Sequence, residues 1–147
     1  MTAPVSFPAS HLDLLHARNV GVLSTLGRGF PQSTAIWFLL DGDVIRTSLH
    51  TSRQKYRNLL RDPHTTLFLL DPANPYRSLE VRADATFVDD ADQSFFGRIV
   101  RHYGQDPRQV PGTRRQPGRA HPHAPTSRRQ RMNTLPADLS IDDRGEG

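Results

Sequence analysis

Residues 47–63, Thr-Ser-Leu-His-Thr-Ser-Arg-Gln-Lys-Tyr-Arg-Asn-Leu-Leu-Arg-Asp-Pro, contain the only lysine of a chain with eighteen arginines. Lys55 lies two residues after Arg53 and two before Arg57. Thr51 followed three positions later by Gln54 has the form of a capping box, so the spacing predicts a helix from Ser52 to Arg61. Tyr56, Leu59 and Leu60 supply its buried stripe, and Asp62-Pro63 ends it. A helix N-terminus carries partial positive charge and prefers acids in its first turn. This first turn has two cations and no acid. A broken local rule marks a candidate site. Backbone N–H groups, the helix dipole and two or three cationic side chains together form an anion receptor, for phosphate above all. The competing reading is an ordinary basic helix face in solvent, and spacing alone does not separate the two.

Outward from this helix the pattern is mostly strand. Val44–Leu49 precedes it, reached through the hairpin signal Asp41-Gly42-Asp43. Before that, Asn19–Leu26 and Phe30–Leu40 read as two strands joined by Gly27-Arg28-Gly29, with Pro31 near the start of the second, where a proline is tolerated. A short helix over Ser10–Arg18 opens the chain. After the central helix come an apolar strand, Thr65–Leu70, a loop, Asp71-Pro72-Ala73-Asn74-Pro75, and a long strand, Tyr76–Val88. Leu79, Val81, Ala83, Ala85 and Phe87 alternate along one face of that strand. Asp89–Tyr103 reads as a helix with acids in its first turn and an apolar stripe of Phe95, Phe96, Ile99, Val100 and Tyr103. Five strands and two or three helices predict a mainly antiparallel β fold, a small barrel with short covering helices. Closing such a sheet needs one more strand after the last helix, and the sequence pattern does not supply one.

Length predicts one domain over residues 1–112, followed by a tail, 113–147. The chain has no cysteine, which excludes disulfides and thiolate chemistry. No histidine pattern suits a metal, no apolar run approaches the roughly 20 residues that span a bilayer, and the N-terminus does not resemble a signal peptide. A cytoplasmic location is expected. The formal charge of +4 is unevenly placed. Residues 1–112 carry twelve Lys/Arg against eleven Asp/Glu, whereas 113–133 carry six arginines and no acid. Thr113–Arg131 contains no aliphatic larger than alanine, so composition predicts disorder. A basic nucleic-acid or membrane arm is one reading, the former weakened by the absence of aromatic residues to stack on bases. Another is out-of-frame translation of GC-rich DNA. One permitted codon choice from Arg114 onward, read one base later, encodes a β-like Arg-Ala-Val-Leu-Thr-Leu-Thr-Pro segment. That frame ends in a stop, because Met132-Asn133 can only be encoded by bases that contain TGA there.

The order of elements and several motifs together resemble the flavin/deazaflavin-binding split β-barrel proteins of the pyridoxamine-phosphate-oxidase-like superfamily. The resemblance is closest to the actinobacterial branch that uses coenzyme F420. It rests on Gly21-Val22-Leu23-Ser24-Thr25-Leu26 and on Gly29-Phe30-Pro31-Gln32-Ser33-Thr34 with Trp37-Phe38. It continues through Thr51–Leu59 with Asp62-Pro63, and Asp71–Arg82 with its Asn-Pro-Tyr-Arg-Ser-Leu-Glu-Val-Arg run. Coverage extends from about residue 8 to residue 112. The resemblance implies a split β-barrel that forms a homodimer with two coenzyme sites at its interface, the last barrel strand missing in this chain. It further implies that Arg53 and Lys55 hold the coenzyme phosphate, that Gln32, Ser33, Thr34, Thr47 and Ser48 lie along the ring and polyol, and that Trp37 flanks the ring or is a half-buried structural aromatic. Arg77, or Glu80 with Arg82 on the opposite face, reach toward the site, although an ion pair is the simpler reading of the latter two.

The activity so implied is hydride transfer from reduced coenzyme F420 to a small conjugated or heteroaromatic compound. FMN in the same grip is the alternative coenzyme, and a non-catalytic cofactor-binding protein the alternative class. No side chain is singled out as catalytic. The shifted-frame reading of the tail predicts that the resequenced gene places residues 113–147 out of frame; an in-frame tail shared by related genes would remove it.

Overall fold

The computed structural model describes residues 6–110 together with the backbone of 129–143. A 3-10 turn (Ala9–His11) leads into α1 (Leu12–His16), followed by β1 (Gly21–Leu26), β2 (Pro31–Ile36), β3 (Leu39–Asp41) and β4 (Val44–His50). Then come α2 (Gln54–Arg61), β5 (His64–Leu70), β6 (Arg77–Asp89), α3 (Ser94–His102) and β7 (Arg129–Asp143). Every ladder is antiparallel, in the order β2-β1-β5-β6-β7-β4-β3. No described helix is long and apolar enough to cross a membrane, and no group of three metal-ligating side chains gathers among the described residues.

The single strand expected over residues 30–40 is divided, and the division shapes the molecule. β2 and β3 stand at the two ends of the seven-stranded order, yet only Trp37 and Phe38 separate them in the chain. Six strand spacings would hold the edges of a flat sheet roughly 29 Å apart. Three Cα–Cα steps from Ile36 to Leu39 reach at most about 11 Å. The sheet must therefore roll up until its edges approach. Among the described residues no ladder joins β2 to β3, so the roll is not hydrogen-bonded shut.

The expected missing strand is corrected by β7, which lies between β6 and β4 and pairs with both. Composition hid it because a strand between two others is held first by its backbone, whose N–H and C=O groups satisfy both neighbours. Pro136, which has no N–H, stands opposite Ala83 where the β6 register shifts, a place where a proline does least damage. Of the disorder expected of the tail, the part over 129–143 is corrected to strand, and 113–128 falls on residues outside those described.

Alternation fills the interior of the roll. Leu23, Leu67, Leu69, Leu79, Val81 and Ile45 point inward and are almost wholly buried, with Phe38 at 0% exposure between β2 and β3. Gly21 is required there, since a Cβ would lie 2.7 Å from the Leu67 side chain. α1 packs Leu14 and Leu15 onto the same core.

Arg77 does not reach toward the α2 region. Its guanidinium binds Asp13 of α1 at 2.5 Å and Asp71 of the following loop at 3.0 Å, and it also donates to the Ser10 carbonyl. This contact holds both carboxyls below their usual range, chiefly through the Arg77 hydrogen bond for Asp13 and the Ala73 N–H for Asp71. Glu80 and Arg82 pair with one another at 2.7 Å, as alternation on one face allows. A carboxyl with a lowered folded pKa stabilises above its unfolded pKa, and that stability is lost as pH falls through the folded value. Arg77→Ala is thus expected to lower the melting temperature by a few degrees at neutral pH and by less in acid, below the ordinary carboxylate range. Deleting 129–147 should abolish cooperative melting, since β4 and β6 would both lose a ladder; circular dichroism melts check both.

Candidate functional site

α2 begins one to two residues later than its sequence suggests. Arg53 occupies the N-cap position without a side-chain cap bond, and Ser52 lies outside the helix. The expected capping box does not form, because the Gln54 amide donates to Asn58 Oδ1 at 2.9 Å and its oxygen accepts from Arg57 at 2.8 Å. The buried stripe differs too. Leu60 is 61% exposed, and Asn58 is fully buried in its stead. Asn58 Nδ2 donates to Thr25 Oγ1 (3.0 Å) and to Gln32 Oε1 (3.1 Å), tying α2 to β1 and β2. Tyr56 meets Phe87 edge-on at 4.9 Å. These contacts fix the rotation of α2 about its axis, and with it the direction of Lys55.

Lys55 points into a cleft of about 330 Å³ lined by Val20, Ala35, Ile36, Trp37, Thr47, Ser48, Phe96 and Ile99. Its Nζ donates to Thr34 Oγ1 at 3.4 Å. Burial holds the lysine pKa below its ordinary value, and the nearby Arg53 charge pushes the same way. Among the described residues no carboxylate lines the cleft. A partly desolvated ammonium whose neighbours are a hydroxyl and a guanidinium is poised to accept an anion.

Of the residues expected at a site, Lys55, Trp37, Thr47 and Ser48 come together here. Thr34 stands beside them through its bond to Lys55, and Arg53 is exposed at the helix mouth. Thr47 is buried, and its hydroxyl donates to the Trp37 carbonyl at 2.6 Å. Consecutive residues of β2 cannot share one face, so Gln32 turns to the Asn58 network while Ser33 pairs with Ser24 Oγ at 2.9 Å.

Sequence reasoning missed the apolar wall. Phe96 and Ile99 read as core positions of α3, and nothing in their spacing separates core from cleft. The start of α3 is anchored by buried Asp90, whose carboxylate accepts the Phe95 and Phe96 N–H groups at 3.0 Å each. Tyr103, just past α3, stacks on Trp37 with ring centroids 4.8 Å apart and planes 9° from parallel. Its hydroxyl accepts the Phe38 N–H (3.2 Å) and donates to the Asn19 carbonyl (2.7 Å), so it pins the Trp37-Phe38 link. Burial raises the Tyr103 pKa and keeps that hydroxyl protonated.

A rolled antiparallel sheet bearing a cleft with aromatic and aliphatic walls, and a desolvated cation at one end, suits a flat organic molecule with an anionic group. The family model described as pyridoxamine 5'-phosphate oxidase matches residues 7–126, and the chain belongs to that family, one of flavin- and F420-dependent oxidoreductases. A solved structure named F420 reductase is 32% identical, covering 91% of this chain and 98% of that one, with a TM-score of 0.74. The General Stress Protein 26 of Bacillus anthracis str. Sterne (16% identity, 90% and 94% coverage, TM-score 0.62) shares the fold. So does a conserved hypothetical protein of Mycobacterium tuberculosis (19%, 97% and 88%, 0.65). No curated protein matches the chain.

Tyr103 is expected to position Trp37. Tyr103→Phe retains the stack but loses the bonds to Phe38 and Asn19; Tyr103→Leu loses both. Trp37 is the only indole, so its emission maximum should shift red modestly in the first variant and strongly in the second, with acrylamide quenching rising in the same order.

Proposed function

We propose that this chain is an oxidoreductase that binds reduced coenzyme F420 in the Lys55 cleft and reduces a small conjugated or heteroaromatic compound. The carrying observation is Lys55 itself, a cation drawn partly out of water with no acid among the described residues that line its cleft. Such an arrangement costs folding stability and makes sense as a seat for an anionic group. The similarity to the structure named F420 reductase supports the choice of coenzyme.

The residues present fit that coenzyme. Lys55 and Arg53 suit its phosphate, Ser48 and Thr34 its polyol, and Trp37, Phe96 and Ile99 offer flat and apolar contacts to a ring. When bound, the coenzyme supplies the transferable hydride; the protein orients it and excludes water. Among the lining residues there is no carboxyl to act as general acid, and the Tyr103 hydroxyl is committed to Asn19. The proton that completes the reduction then comes from solvent.

A homodimer completes the reading. On the outer face of β1 and β5, Val22 stands beside Phe68 and Ala35, with Leu70 and Val20 also exposed. A second copy laid there would cover apolar surface next to Val20 and Ala35, which line the cleft. FMN is the second reading, supported by membership of a family of flavin- and F420-dependent oxidoreductases.

Titration with F420 and with FMN, followed by coenzyme fluorescence, separates the two. F420 should bind tighter, and Lys55→Met should weaken it about ten- to a hundredfold, the worth of a charge-assisted bond. Unchanged affinity for both coenzymes would remove the proposed phosphate seat. Affinity should fall as pH rises through the lowered lysine pKa, where the ammonium is lost. The stability sign is opposite: the unfolded chain holds the lysine proton to higher pH than the folded one, so stability rises with pH across the window below the ordinary lysine value. Lys55→Met should therefore melt no lower than the parent while losing coenzyme.

A further inference from the structure

A second cleft, of about 740 Å³, opens on another face of α2, lined by Gly27, Arg28, Phe30, Gln32, Gln54, Arg57, Asn58, Leu60 and Arg61. Three of these are arginines and none is acidic. Arg57 donates to the Ser52 carbonyl (3.0 Å) and to Gln54 Oε1 (2.8 Å). Arg61 donates to the Leu26 carbonyl (3.0 Å) and to Asn58 Oδ1 (3.4 Å). All four acceptors are neutral, and among the described residues no side chain pairs with Arg28. Asp62, adjacent in the chain, is held by His64 at 2.6 Å, and Arg61 is the least of the influences on its carboxyl.

Each guanidinium offers five N–H donors, so several remain unspent, and among the described residues no carboxylate lines the cleft to neutralise the trio. A purely solvated basic face would explain the charges but not the apolar groups among them. Phe30 is 89% exposed and Leu60 is 61% exposed, both in the same cleft. The turn that presents Arg28 and Phe30 is set by its glycines. A Cβ on Gly27 would meet the Phe30 carbonyl at 2.3 Å, and Gly29 has φ +127°.

We propose that this cleft is a binding site, distinct from the Lys55 cleft, for a small polyanion carrying at least two carboxylate or phosphate groups and an apolar part. The planar forks of Arg28, Arg57 and Arg61 suit either anion bidentately. A single monoanion would leave two charges uncompensated. Phe30 and Leu60 receive the apolar part, and the Gln32 and Asn58 amides form the floor, already oriented by the bond that Asn58 Nδ2 donates to Gln32 Oε1.

The test is calorimetric titration of the full chain at low ionic strength with citrate, benzene-1,3,5-tricarboxylate and pyrophosphate. One-to-one binding is expected, with the aromatic tricarboxylate tighter than citrate in the parent and equal to it in Phe30→Ala. Arg28→Gln and Arg57→Gln should each weaken binding about tenfold, the worth of one charge-assisted contact, whereas Lys55→Ala should change it less than about twofold. Among the described residues Arg28 has no partner to lose, so its variant is expected to keep the fold, as a melt verifies. Preference for the carboxylates or for pyrophosphate assigns the anion class. No binding by any of the three, binding insensitive to Arg28→Gln, or binding lost with Lys55→Ala would overturn the proposal, and a second copy of the chain seated over the cleft would appear as the first of these.

Discussion

Two residues, Trp37 and Phe38, connect strands at opposite ends of a seven-stranded sheet, and that short link constrains everything else. It forces the sheet to roll, and rolling creates the interior that buries Leu69, Leu79, Val81 and Phe38. It also delivers Trp37 to the cleft while its neighbour Phe38 goes to the core. Tyr103 then secures the link from the far end of α3, through a ring stack and bonds to the Phe38 backbone. Packing and site geometry thus share one structural cause.

The site is assembled from elements distant in sequence. Lys55 comes from α2, Trp37 from the link, Thr47 and Ser48 from β4, and Phe96 and Ile99 from α3. Each is aimed by a contact that has no role in chemistry: Asn58 sets α2, Asp90 anchors α3, and Thr47 bonds the carbonyl of Trp37. The resulting cleft holds one cation that the fold would be easier without. α2 presents a second set of cations, Arg57 and Arg61, on another face, where their described hydrogen-bond acceptors are all neutral.

The apolar strand over 65–70, strand alternation over 76–88, the Asp41-Gly42-Asp43 turn and the departure from helix-dipole preference around Lys55 were all legible, because each is a local rule read over a few residues. The capping box at Thr51 and the buried Leu60 were misread for a shared reason. Helix spacing indicates which residues share a side, but the partners available in three dimensions decide which side is buried, and Asn58 found Thr25 and Gln32. The strand at 129–143 was missed because apolar content was taken as its marker.

By itself, the sequence determined the antiparallel β class, most of the order of its elements and the lysine that points into the cleft. These follow from period, turn chemistry and charge, which act over short stretches of chain. Only the tertiary structure decided that residues 30–40 split between two edges, that β7 completes the sheet, and that Phe96, Ile99 and Tyr103 gather around Trp37 while Gln32 and Ser33 turn elsewhere. Those outcomes depend on how a rolled sheet brings remote residues to one place, and no local rule encodes that distance.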